Sequence, residues 1–371
     1  MRYFFLISII FLAIPSSLQA QLDDPLKQVL QEHQDKFDDL LKEDKYEIQI
    51  IYTQINRDEA NRPSFRTYRY GVDEERYFYP ASTVKMPTAF VAMEKLNELS
   101  IRGLDYENKM ITGVGTAPQT GIEVDSTAMG LAPSVGQYVK KIFLVSDNDA
   151  QNRLYEFVGQ AELNQRLREK GFKSSRIIHR LGAGGPSYSV EQNQYTNPIS
   201  FYKGDQLLYH QGEVHSQIPF ELDLSGEIKG KAYQSNGTII EEPFDFSQKN
   251  FISLQNLHDI LQRVIFPESA PPEQRFSLSE KDYQFLYRCM SMKPRESKSP
   301  LYDKPDGYVK FFIYEGEAEK IPDPIRIFNK VGWAYGYLTD VAYIIDLEKK
   351  VEFMLAAVIH VNDNQTYNDD N

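Results

Sequence analysis

The sequence predicts an α+β protein: a five-stranded antiparallel sheet flanked by helices and interleaved with a mostly helical lobe. Three observations carry this. Strand-like segments cluster at the two ends of the chain, Glu47–Thr53 and Ser64–Tyr70 near the start and three more after residue 324. Between them, apolar residues recur every three or four positions, the helical period. Two of the strand pairs are joined by short polar turns, Asn56–Pro63 and Asp346–Lys350, which favours antiparallel neighbours. The division that follows is a sheet lobe from residues 21–80 and 300–371, and a helical lobe over 81–299 with a β-rich insertion at about 201–250.

In chain order, Arg2 precedes the apolar run Tyr3–Pro15, and small and polar residues lead to Ala20-Gln21. That is the layout of a secretory signal over residues 1–20, which places the mature protein in the periplasm or outside the cell. No later run has the length to cross a bilayer, so no membrane span is expected once the signal is removed. Leu26, Val29, Leu30, Phe37, Leu40 and Leu41 mark one amphipathic helix from Pro25 to Lys42, placed to pack on the sheet. Glu47–Thr53 and Ser64–Tyr70 form a hairpin around the polar turn Asn56–Pro63.

Tyr79-Pro80-Ala81-Ser82-Thr83-Val84-Lys85-Met86-Pro87 opens the central helix, whose apolar positions run through Met86, Ala89, Phe90, Met93, Leu96 and Leu99. Residues three apart on a helix are neighbours, so the Lys85 amine is expected within reach of the Ser82 hydroxyl. Burial would lower the lysine's pKa and let it act as a base toward that serine. The spacing also arises by chance, and Ser200-Phe201-Tyr202-Lys203 repeats it in a strand-like run with no helix behind it. That copy reads as a surface Ser and Lys.

Tyr106–Gly130 reads as loop, and its glycines lack the strand and helix that a phosphate-binding fingerprint requires. Ser134 caps a helix ending at Val145. Ser146-Asp147-Asn148 then precedes a second amphipathic run, Ala150–Val158. These are good helix-cap residues, and on a tight turn a hydroxyl and an amide two positions apart can also face one cleft. A Gly-rich loop with Gly182, Gly184 and Gly185 follows, then strand-like stretches at Gln206–His210, Glu221–Leu224 and Lys231–Ile240, and helices at Leu254–Phe266 and Ser279–Met292. Pro324–Val331, Asp340–Asp346 and Val351–Val361 read as three closing strands, with 346–350 as a hairpin turn and the last strand central because it is almost continuously apolar. The first carries Lys330-Val331-Gly332-Trp333, in which Gly332 permits a close backbone approach beside a cation.

Composition narrows the function classes. A formal net charge of -12 argues against a nucleic-acid partner. The six histidines include no pair four apart, which gives metal catalysis no support, and no cofactor motif emerges. The single cysteine, Cys289, sits in a helical pattern and reads as a small buried residue. Nothing in the chain specifies an oligomer.

Taken in order, Ser82-Thr83-Val84-Lys85, Ser146-Asp147-Asn148 and Lys330-Val331-Gly332 resemble the three motifs of the class A serine β-lactamases and their penicillin-binding relatives. The resemblance implies that Ser82 attacks a β-lactam carbonyl to form an acyl-enzyme, with Lys85 as the proton acceptor or its relay. Ser146 would carry the proton to the departing nitrogen. Asn148 would bind the substrate's side-chain amide, Lys330 would favour its carboxylate, and the backbone amides of Ser82 and Trp333, the latter reached past Gly332, would form the oxyanion hole. Two departures stand out. Val331 supplies no hydroxyl where the family has Thr or Ser, and Arg176–Gly185, where the family's deacylating glutamate is expected, holds no acid. Glu191 is the nearest substitute. A penicillin-binding-like peptidase or esterase, and a slow-turnover β-lactam-binding module, are the alternatives, and the placement of Glu191 discriminates among them.

Overall fold

The structure, a computed structural model, describes residues 24–182, 189–218, 220–314, 316 and 318–369. The leader read at residues 1–20 lies outside the described residues, as do Gly184 and Gly185. The principal elements are helices α1 (Pro25–Glu32), α2 (Gln34–Lys42), α3 (Lys85–Glu98), α4 (Val135–Val145), α5 (Asn148–Val158), α6 (Gln160–Glu169), α7 (Leu254–Ile265) and α8 (Glu280–Ser291), and strands β1 (Gln49–Arg57), β2 (Pro63–Tyr70), β3 (Ile325–Ala334), β4 (Tyr337–Asp346) and β5 (Val351–His360).

The five strands form one sheet, ordered β3-β4-β5-β1-β2 and antiparallel throughout. β5 occupies the centre, as its apolar content predicts. Its register with β1 pairs Ile51 with Ala356, so the two ends of the chain meet in the middle of the sheet. α7 packs on one face, burying Leu257, Ile260, Leu261 and Val264, and its His258 Nε2 lies 2.8 Å from Thr53 Oγ1 on β1.

α3 departs from the expected single buried face: every residue from Lys85 to Leu96 is buried. A helix apolar on most sides belongs inside the protein, and Val84, Met86, Phe90 and Met93 form the centre of the main core. Fully burying side chains of this size contributes about 1.5–3 kcal/mol each. The rigidity of that core fixes the entrance to α3, where Ser82 sits.

Other differences have local causes. The single helix expected over 25–42 is two, because His33 leaves helical geometry at φ -113°, ψ 34°; α1 buries Leu26 and Leu30, whereas α2 buries nothing. Inside the stretch read as loop, Lys109–Thr112 is a strand, paired with Ile199–Lys203 from far along the chain. Glu221–Leu224 is not a strand; Leu222 and Leu224 pack on the core without a ladder partner. α6 follows Gly159, at φ +91°, and buries only Leu163 and Leu167 among its apolar residues, too few to show as a period. The 201–250 segment carries short strands, among them Gln206–Gln211, Ala232–Ser235 and Thr238–Ile240.

Candidate active site

Ser82 lies in a 3₁₀ turn, Ala81–Val84, that runs directly into α3. Ala81 enters it at φ +47°, a left-handed conformation that costs an alanine about 1–2 kcal/mol. The Pro80 carbonyl accepts from the Thr83 amide at 3.0 Å and from Thr83 Oγ1 at 2.6 Å. The Ser82 amide falls in the first turn, where backbone donors have no helical acceptor.

Ser146 caps the end of α4 in the left-handed region at φ +56°. Asp147 then caps α5, its carboxylate accepting from the Ala150 amide at 2.8 Å and lying 3.5 Å from Lys141 Nζ. A buried Lys141 and a capping Asp147 hold this turn so that Ser146 and Asn148 face the same interior space. Lys85 Nζ donates there to the Ser146 carbonyl, to Ser146 Oγ at 3.2 Å and to Asn148 Oδ1 at 2.6 Å. The expected partner, Ser82, is on the same helical face, but the amine is bonded to the α4–α5 turn.

The third segment arrives on β3, the free edge of the sheet. Lys330 Nζ donates to Ser146 Oγ at 2.8 Å and to its neighbour's carbonyl, that of Val331, also at 2.8 Å. One hydroxyl therefore faces two amines. Burial holds Lys85 down to about 7, against the pull of Asp147, and burial together with the Lys85 charge holds Lys330 well below the usual lysine range. Two buried ammoniums sharing one oxygen repel each other, so a neutral amine is favoured at the site near neutral pH.

Gly332 is required by contact. A Cβ there would meet the Pro80 carbonyl oxygen at 2.5 Å and Ala81 Cβ at 3.2 Å. The approach that the sequence assigns to this glycine is thus to the Ser82 turn. β3 and β4 join through a two-residue turn, Tyr335 at φ +54° and Gly336 at φ +75°, closed by the pair Ala334–Tyr337. In such hairpins the closing pair exchanges hydrogen bonds and the next pair does not. Trp333, opposite Leu338, therefore points its N–H out from the sheet edge. The residue is 77% exposed.

Ser82, Asn148 and Trp333 share a cavity of about 940 Å3, lined also by Arg176 and residues 178–182 and by Ser247, Gln248 and Lys249 from the end of the 201–250 segment. The sequence model of the β-lactamase enzyme family matches residues 32–371, taking in all three segments.

The chain belongs to the β-lactamase enzyme family.

Among solved structures, β-lactamases from Burkholderia phymatum (15% identity, TM-score 0.47, 90% of this chain and 92% of that one), Francisella tularensis (15%, 0.46, 91% and 92%) and Streptomyces albus G (14%, 0.46, 91% and 94%) are similar to it. No curated protein matches it.

Glu191, the acid expected as a substitute, lies off the cavity wall. Glu191 is exposed, and the cavity wall is formed by its neighbours Val190, Asn193 and Gln194 instead. It lies at the start of a short 3₁₀ turn whose buried residue is Asn193, so the pleat of the loop sends the acid outward. The second Ser-x-x-Lys copy is on the strand Ile199–Lys203, where Ser200 Oγ lies 2.9 Å from His210 Nδ1, away from this cavity.

Two cavity residues carry no sequence signal as part of the site. His179 stacks on Tyr79 with ring centroids 6.2 Å apart, and its Nδ1 lies 2.6 Å from the Arg180 carbonyl oxygen. Burial lowers its pKa to about 4, so it is neutral near pH 7. Lys249 is the other. His179 lies inside Arg176–Gly185, the span in which a carboxylate is expected and none is present. Nothing in the sequence marks Lys249.

Proposed function

We propose that this protein is a serine acyl-transfer enzyme whose Ser82 is acylated by a β-lactam. The observation that carries this is the shared hydroxyl: Ser146 Oγ between the amines of Lys85 and Lys330, both with depressed pKa, beside the cavity that holds Ser82. The neutral Lys85 amine takes the Ser82 proton, and Ser82 Oγ attacks the lactam carbonyl. The carbonyl oxygen becomes negative and is met by the amides of Ser82 and Trp333, where one such donor is worth about 3 kcal/mol of barrier. As the C–N bond breaks, Ser146 gives its proton to the nitrogen and is resupplied from a lysine. Asn148 receives the substrate's amide, its Oδ1 already held by Lys85. The Lys330 ammonium, when protonated, favours the substrate carboxylate. The leader over residues 1–20 puts this chemistry in the periplasm or outside the cell.

A second reading concerns the fate of the acyl-enzyme. With Glu191 exposed, no acid from the 176–194 loop reaches the cavity, which supports a long-lived acyl-enzyme of the penicillin-binding kind over rapid hydrolysis. Mass spectrometry of the protein over time with benzylpenicillin and a cephalosporin, beside Ser82→Ala, tests both. A Ser82-dependent adduct that persists for many minutes is the expected result. Rapid clearance with release of hydrolysed drug would overturn the second reading, and absence of any adduct would overturn the first.

A further inference from the structure

The cavity carries basic side chains on its wall, although the chain is acidic overall. Arg176, Arg180 and Lys249 all line it. The two arginines are neutralised within the protein: Arg176 Nη2 lies 2.7 Å from Glu227 Oε1, and Arg180 Nε lies 3.0 Å from Glu156 Oε1. Lys249 is different. It is half-buried, stands 5.7 Å from the Phe244 ring, and makes no ion pair or hydrogen bond through its amine among the described residues. Burial alone lowers its pKa, with no carboxylate near enough to oppose it. The nearby imidazole of His179 is neutral, and the one other acid on this rim, Glu221, is exposed.

The backbone around Lys249 is held by hydrogen bonds. Its amide donates to the Phe246 carbonyl at 2.9 Å, and its carbonyl accepts from Arg176 Nε at 3.2 Å. The next residue, Asn250, is fully buried; its Oδ1 accepts from the Ile178 and His179 amides at 2.8 and 3.0 Å. The end of the 201–250 segment is thereby fastened to the loop that forms the far wall. A half-buried cation with no ion pair among the described residues, facing a polar cavity, gains from meeting an anion, which offsets its desolvation.

We propose that Lys249 binds a carboxylate on the acyl side chain of the substrate, so that the enzyme prefers acyl donors carrying a second negative charge beyond the one Lys330 meets. The 201–250 segment then acts as a specificity element. This rests on the acylation of Ser82 proposed above.

The test uses carbenicillin and benzylpenicillin, which differ only by a carboxylate on the side chain. Second-order acylation constants are measured by mass spectrometry for the unaltered protein, Lys249→Met and Lys249→Arg. Lys249→Met is expected to lower the carbenicillin-to-benzylpenicillin ratio about tenfold, the scale of one charged hydrogen bond. The benzylpenicillin constant should stay within about twofold, which shows that the variant is folded, and Lys249→Arg should keep most of the ratio. An unchanged ratio in Lys249→Met, or an equal loss for both drugs, would overturn the anion site while leaving Ser82 acylation standing. Failure of the unaltered protein to acylate with either drug would overturn both proposals.

Discussion

At the scale of single residues, the site turns on where one proton resides. Lys85 is a base only when neutral, and its pKa of about 7 means that it loses its proton as the pH rises through neutrality. We predict that the acylation rate climbs with pH through about 7 and levels off above it. In Lys85→Met that limb should vanish and the rate fall by ~10²–10⁴, the usual worth of a positioned base. Stopped-flow acylation across pH 5–9, a span of about two units on either side, measures both; a flat profile in the unaltered protein would contradict the assignment. The roles of Ser146 and Asn148 follow from the same amine. By bonding both, Lys85 sets the direction of the one hydroxyl and leaves the Asn148 amide NH₂ for a ligand.

At the scale of elements, the decisive contact is between β3 and the turn that begins α3. Adding a methyl group at Gly332 forces the strand from the Pro80 carbonyl, 2.5 Å from where the Cβ would stand, and the Trp333 amide moves with it. Gly332→Ala is expected to reduce acylation about 10²-fold, the cost of losing one oxyanion donor, while lowering the melting temperature by only a few degrees, roughly the effect of 1 kcal/mol. Differential scanning calorimetry beside the acylation assay separates the two; a collapse of stability equal to the loss of rate would place the glycine's role in folding alone. This contact was half legible beforehand. The glycine's need for close approach could be read from the Lys330-Val331-Gly332-Trp333 segment, but its partner, Pro80, lies far away in sequence. Long amphipathic elements such as α4, α7 and α8 were visible to within a residue or two, because burial of one face imposes a period. The strand Lys109–Thr112 was not, since four residues carry almost no period and its partner strand starts at Ile199. The outward placement of Glu191 was hidden for a similar reason. Whether a loop acid points in or out depends on which neighbour is buried, and Asn193, held by the Arg180 amide at 2.9 Å, takes the inward position.

At the scale of the whole molecule, the sheet is closed by its own ends. β5 lies between β4 and β1, so the N-terminal hairpin has no neighbour until β5 is in place. A chain lacking residues 351–371 is predicted to show no cooperative thermal transition by circular dichroism and no acylation at Ser82; a sharp transition would mean that the helical part folds without the sheet. The pairing of Ile51 with Ala356 also makes folding depend on contacts of long sequence separation, which slows it.

That same pairing has a meaning for synthesis. At ~5–20 residues per second, Ile51 emerges from a ribosome ~15–60 s before Ala356 is made. Through that interval the hairpin of β1 and β2 has no strand to join. A polypeptide arranged in this way cannot close its sheet while it is being made: closure waits for β5, the last of the five strands to be synthesised.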